Sequence, residues 1–143
     1  MSEPSTTLPA RMRVLVVDDE PLVRRLSRRM LEHAGYEVHE AADAGEAIAI
    51  LADAGGFDLV VSDLQMPMDG EALGAHLATQ SPQVPILFVS GWGESPARVA
   101  ALGPMLTKPF SEALLISTVR QVLARHAQAP GRWDLRPPSR PLD

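Results

Sequence analysis

No cysteine occurs in these 143 residues, which excludes disulfides, thiolate catalysis and thiolate metal sites. No apolar run approaches the roughly 20 residues needed to span a bilayer. A basic excess is missing too. The net charge is -5 at pH 7, whereas general nucleic-acid affinity needs a clustered basic surface to displace counterions. Residues Met1 to Ala10 lack the basic-then-apolar order of a secretory leader, so a cytoplasmic setting is expected. Lysine is nearly absent: of 13 basic residues, only Lys108 is not arginine. By itself that is ordinary residue usage.

What is present fits one soluble domain with a single core and short tails. Residues 1–11 are expected to be a disordered arm, 12–126 the folded domain, and 127–143 a disordered tail rich in Pro and Arg. Arg13 to Val17 reads as a buried strand that ends on Asp18-Asp19-Glu20. Pro21 then suits a helix first turn, and Gly35 its C-terminal stop. Leu22, Val23, Leu26, Met30 and Leu31 form its expected inner face, with Arg24, Arg25, Arg28 and Arg29 opposite. Residues 36–41 alternate as a strand near the sheet edge, and 44–54 form a second helix stopped by Gly55-Gly56. Leu59, Val60 and Val61 are continuous rather than alternating, so that strand is buried on both faces; it delivers Asp63 at its end.

A third helix spans 71–79, with Leu73 and Leu77 inward, and a fourth strand spans 85–89 and ends on Ser90. A short helix near 96–101 and a brief strand at 104–107 lead into Lys108-Pro109-Phe110. Ser111 can cap the last helix, whose expected stripe is Leu114, Leu115, Thr118, Val119, Val122 and Leu123. Five β-α repeats predict an α/β fold: a five-stranded parallel sheet with helices on both faces, joined by right-handed crossovers.

All strand carboxyl ends in such a sheet share one rim, where open α/β sheets bind ligands. Asp18, Asp19, Asp63, Ser90 and Lys108 stand at or just beyond those ends. Carboxylates ~5 Å apart repel by about 3 kcal/mol per pair at an effective dielectric near 20. They need raised pKa values or a cation, and a hard divalent ion suits oxygen ligands. Lys108 and the Ser90 hydroxyl form an electropositive side. Acidic groups, a lysine and a hydroxyl around one Asp suggest phosphoryl transfer to that Asp, with charge stabilisation as the main effect.

With Val-Val-Asp18-Asp19-Glu20, Asp63-Leu-Gln-Met66-Pro67, Ser90-Gly91 and Lys108-Pro109-Phe110 in order, the chain resembles the receiver domain of two-component response regulators. The resemblance covers about residues 12–126 and implies a (βα)5 doubly wound, flavodoxin-like fold. It implies that Asp63 is the phosphoacceptor. Asp19 would ligate Mg²⁺ (or Mn²⁺) directly and Asp18 through water, with Asp63 and the Gln65 main-chain carbonyl completing the set. Lys108 would pair with phosphoryl oxygens, and Ser90 would bind one and sense it. Gly91 would leave the phosphoryl group room, and Lys108-Pro109 would be cis. The donor would be a phosphohistidine on a histidine kinase or histidine phosphotransfer protein. Arg24, Arg25 and Arg28, with Pro109 and Phe110, are candidates to dock it; a solvated helix face is the alternative for the arginines. The downstream protein partner is not specified.

The chain departs from the family pattern in several places. Met105 occupies a position usually held by Tyr or Phe, which puts the usual hydroxyl-aromatic switch in question. The Ser90–Lys108 stretch is several residues short, and the loop from Met66 to Gly70 lacks one residue. A dimer through the fourth helix, fifth strand and fifth helix is therefore not expected, and a monomer is. Trp92 either covers the phosphorylation pocket, setting acyl-phosphate lifetime with Gln65, or packs on the shortened helix. His33, His39, His76 and His126 are scattered and do not pair at ligand spacing. Trp133 in the tail is read as part of a disordered remnant rather than a docking motif.

Four readings compete. The preferred one is a stand-alone receiver acting through protein contacts, since no output domain follows residue 126. A receiver module of a larger hybrid histidine kinase is the alternative. An aspartate-nucleophile phosphohydrolase would carry a second Asp two residues after the first as general acid/base, and Gln65 stands there. A degenerate receiver that works without phosphate conflicts with the intact acidic set and Lys108. The chain is expected to be regulatory rather than an enzyme.

Overall fold

A computed structural model of the chain describes residues 11–54, 56–65, 70–91 and 96–128. The arm, the Met66-Pro67 turn and its length, Gly55, Trp92 and the Trp133 tail lie outside the described residues. Within them, strands β1 (Arg13–Val17), β2 (Glu37–Ala41), β3 (Leu59–Asp63), β4 (Ile86–Ser90) and β5 (Met105–Thr107) form one sheet. Helices α1 (Pro21–His33), α2 (Ala44–Ala54), α3 (Gly70–Gln80), α4 (Ala97–Ala100) and α5 (Glu112–Gln128) alternate with them. Every strand pair is parallel, in the order β2-β1-β3-β4-β5. This is the doubly wound α/β sheet expected from the repeats, with the alternating strand β2 at an edge.

The continuous apolar strands are explained by two cores. Leu15, Val17, Val60, Ile86 and Phe88 face one layer, against Ala47 of α2, Leu73 and Leu77 of α3 and Val99 of α4. Val14, Val16, Leu59, Val61, Leu87 and Val89 face the other, against Leu31 of α1 and Leu115, Val119 and Val122 of α5. Period-two alternation thus sends neighbouring residues into opposite apolar layers. Each large side chain so buried contributes about 1.5–3 kcal/mol.

Local signals set several boundaries. Gly35 ends α1 at φ 100°, in the left-handed region where a side chain is strained. Asp43 caps α2: its Oδ1 accepts the Glu46 N–H at 2.7 Å, while Glu46 Oε1 reaches back to the Ala42 N–H at 2.6 Å. Ser111 Oγ accepts the Leu114 N–H at 3.0 Å, the cap expected for α5. β4 begins one residue later than expected, because Pro85 has no N–H; its carbonyl still accepts the Val60 N–H at 3.0 Å. α4 is a single short turn, matching the short helix expected near 96–101.

Two apolar faces differ from the sequence reading. Leu22 is 76% and Leu26 54% exposed, so neither lies in the core. The inner stripe of α1 is Val23, Ser27, Met30 and Leu31, continued by Ala34 at its C-cap. At about 100° per residue, Leu22 and Leu26 fall on the other side, beside Arg25 and Arg29. In α5, Leu114 is exposed and Ile116 is buried in its place, since Leu114 lies across the helix from Val119. No helix among the described residues is long and apolar enough to cross a membrane.

Candidate functional site: an acidic rim with one lysine

The strand order brings the ends of β1, β3, β4 and β5 together at the rim. Val17 of β1 pairs with Ser62 of β3, so Asp18 and Asp63 emerge side by side. Asp63 pairs with Val89, and Ser90 with Thr107, which carries Lys108 just beyond. The main chain locks these ends: Leu64 N–H donates to Val89 O at 2.8 Å, and Lys108 N–H donates to Ser90 O at 2.7 Å. The Lys108–Pro109 bond is cis, as expected.

Asp18, Asp19 and Asp63 each offer a carboxylate oxygen, and the three lie within 4.8 Å of one another. Asp18 and Asp63 are buried and Asp19 is exposed. Lys108 Nζ stands 3.4 Å from Asp63 Oδ2 and 3.5 Å from Asp18 Oδ2, bridging the two buried carboxylates. Asp63 Oδ1 accepts the Gln65 N–H at 3.0 Å, and Asp18 Oδ1 accepts the Glu20 N–H at 2.9 Å. The Asp63 carboxyl is pushed above its ordinary range, first by burial and then by the Asp18 charge, against the pull of the Gln65 N–H and Lys108. A carboxylate disfavoured by burial and by a like charge is relieved by a cation or a proton.

The sequence-predicted residues do not all gather there. Ser90 is fully buried on the same strand face as Phe88, and Met105 pairs with Phe88 and packs partly buried in that layer. A side chain added at Gly91 would meet no atom within 4 Å, so the space beside Ser90 is open. Pro109 is exposed and Phe110 half-buried against the α1/α5 layer. Arg25 is exposed, but Arg24 and Arg28 are engaged elsewhere. Arg24 Nε binds Glu40 Oε1 at 2.8 Å; Arg28 binds Glu40 Oε2 and Glu32 Oε2, each at 2.9 Å. Burial alone would raise the Glu40 carboxyl, yet the hydrogen bonds from Arg28 and Arg24 hold it below its ordinary value.

Sequence reasoning missed two supports of the site. Gly70 opens α3 so close to β3 that a Cβ there would collide with the Asp63 carbonyl and lie 2.9 Å from Leu64 Cα. Its N–H donates to Leu64 O at 3.2 Å, tying the start of α3 to the end of β3. The other is Arg24, whose Nη1 donates to the Asp18 carbonyl at 2.8 Å. An Asp-Gly pair is a visible turn signal, whereas nothing in the sequence joins Arg24 to Glu40.

Known proteins share the sequence pattern and the fold of this chain. The chain is 42% identical over 131 residues to the sensor kinase CckA of Brucella abortus, covering 86% of this chain and 14% of that protein. The chain thus spans a small part of that relative's length. The chemotaxis response regulator CheY4 of Vibrio cholerae superposes with a TM-score of 0.73 at 34% identity, covering 79% of this chain and 99% of that one. The response regulator TrrA of Thermotoga maritima, solved in complex with Mg²⁺ and BeF, gives 0.72 at 28% identity over 78% and 98%. A sequence model of the response regulator receiver domain matches residues 14–120. With the fold, the strand-end residues and that match in agreement, the chain belongs to the response regulator receiver domain family of two-component signalling.

Proposed function

We propose that this receiver accepts a phosphoryl group on Asp63 from a phosphohistidine and so changes its contacts with other proteins. The observation that carries the reading is Lys108 Nζ bridging the Asp63 and Asp18 carboxylates, with Asp19 beside them. An Asp63 carboxylate oxygen attacks phosphorus; the P–N bond breaks and its electron pair returns to the imidazole, which leaves neutral when its other nitrogen is protonated. Lys108, released from the Asp63 carboxylate as it bonds phosphorus, turns to the phosphoryl oxygens. Ser90 supplies a hydroxyl to one oxygen, and the open space at Gly91 admits the group.

Three hard carboxylate oxygens within 4.8 Å suit Mg²⁺ or Mn²⁺, and Asp18, Asp19, Asp63 and the Gln65 main-chain carbonyl would hold the ion. When bound, it would offset the negative charge that gathers as phosphoryl oxygens approach the carboxylates. The complex of TrrA with Mg²⁺ and BeF supports this assignment.

The donor is a histidine kinase or a histidine phosphotransfer protein. The exposed α1 face of Leu22, Arg25, Leu26 and Arg29 suits an apolar and acidic helix of such a donor better than Arg24 and Arg28 do. A monomer that works through protein contacts in a cytoplasmic setting, with 12–126 as its domain, completes the reading. Similarity to CckA favours a second context, a receiver within or beside a sensor kinase, with the same chemistry at Asp63. With Gln65 where a phosphohydrolase needs an acid, p-nitrophenyl phosphate should not be turned over.

Incubation with Mg²⁺ and phosphoramidate tests the proposal. The intact mass should rise by one phosphoryl group, and Asp63→Asn should abolish the rise. An unchanged wild-type mass, together with an unchanged amide spectrum on adding beryllofluoride, sinks it.

A further inference from the structure

We infer that Arg24 is a positioning residue for the acidic pair Asp18-Asp19, fixed in turn by Glu40 at the end of β2. The inference rests on the acidic rim being a cation site, and it moves Arg24 from partner docking to the interior of that site. Its side chain is only 15% exposed, too little to meet a partner.

Asp18 is gripped at every polar atom. Its N–H donates to Ala41 O at 3.1 Å, and its carbonyl accepts from Arg24 Nη1 at 2.8 Å. Its Oδ1 accepts the Glu20 N–H, and its Oδ2 faces Lys108. Two of these anchors lead to neighbouring residues of one strand. Ala41 and Glu40 close β2, so the backbone bond and the Glu40–Arg24 bond pull the β1–α1 turn onto the same point. Arg28 holds the second Glu40 oxygen, which fixes the carboxylate that fixes Arg24. A guanidinium reaches both acceptors with one planar fork; an ammonium does not offer that geometry. The turn so held is the one that presents Asp19 and Asp18 to a cation, and outer-shell groups that orient ligands set affinity strongly.

Charge alone predicts the opposite of positioning. Deleting a cation near three carboxylates should tighten divalent binding, while loosening the turn should weaken it. Mn²⁺ is the probe, with free ion measured by electron paramagnetic resonance and folding checked by circular dichroism. Arg24→Gln should fold and bind Mn²⁺ about tenfold more weakly or worse, while Arg120→Gln, at an exposed arginine of α5, should match the wild type. Wild-type or tighter affinity in a folded Arg24→Gln protein overturns the inference. Should that variant fail to fold, Arg24→Lys decides, because it keeps the charge. Weaker binding supports positioning, and wild-type affinity overturns it. A wild type that takes up no Mn²⁺ refutes the cation site itself, a result distinct from either.

Discussion

Replacing Lys108 with Met should strengthen divalent cation binding while abolishing phosphorylation. Lys108 Nζ lies 3.4 Å from one buried carboxylate and 3.5 Å from another. At an effective dielectric of 20, each attraction is about 5 kcal/mol before desolvation is subtracted. Lys108 remains 27% exposed, so screening leaves a net coupling of order 1–3 kcal/mol. A divalent ion bound at this rim would compete with that ammonium for Asp18 and Asp63. Removing it should therefore tighten Mn²⁺ or Mg²⁺ binding by about tenfold, since 1.4 kcal/mol is a factor of ten. The same change leaves the Asp18 and Asp63 charges uncompensated in the free protein. The folded-state carboxyl of Asp63, already raised by burial, then rises further. Stability of the variant should fall most at neutral pH and approach the wild type as acid protonates the carboxyls. Isothermal titration with Mg²⁺ and urea unfolding across pH measure both effects. Unchanged or weaker Mg²⁺ affinity in a folded Lys108→Met protein would refute the argument that Lys108 and the ion share these ligands.

Other outcomes follow from single contacts. Asp63 has a folded pKa above its unfolded one, so its stabilising share is full below the unfolded pKa and is lost as pH rises through the folded value. Asp63→Asn should thus raise urea resistance at neutral pH without Mg²⁺, and not in acid; no gain at neutral pH contradicts the raised pKa. A Cβ at Gly74 would stand 2.7 Å from Phe88 Cζ, so Gly74→Ala should cost about 1–3 kcal/mol despite better helix propensity. Pairing it with Phe88→Leu should recover part of that loss, and simple additivity in a double-mutant cycle would disprove the contact. Asp43→Ala removes the α2 cap and should lower stability by about 1 kcal/mol, read as a shift in the urea midpoint at constant slope.

Much of the fold is legible because its determinants are local in sequence. Runs such as Leu59-Val60-Val61 announce strands buried on both faces, Gly35 and Ser111 mark helix ends, and the β-α alternation fixes parallel pairing and handedness. Asp63 can be singled out for the same reason: a carboxylate at the end of a buried strand reaches the rim by chain direction alone. Helix faces are less legible. Leu22 and Leu26 have the spacing of a core stripe, yet Ser27 is buried and they are not. Spacing identifies an apolar face; only the packed neighbours say whether it is covered.

The sequence by itself determined the architecture, the acid set and the lone lysine that answers it, because strand periodicity and chain direction place Asp18, Asp19, Asp63, Ser90 and Lys108 on one rim whatever the packing. Tertiary structure alone decided how those groups are held. Lys108 bridges two particular oxygens, Gly70 must lack a side chain because α3 starts against the Asp63 carbonyl, and Arg24 grips Asp18 because β2 ends beside it. Each depends on residues brought together across the sheet at ångström distances, and such proximity leaves no period or motif in the chain.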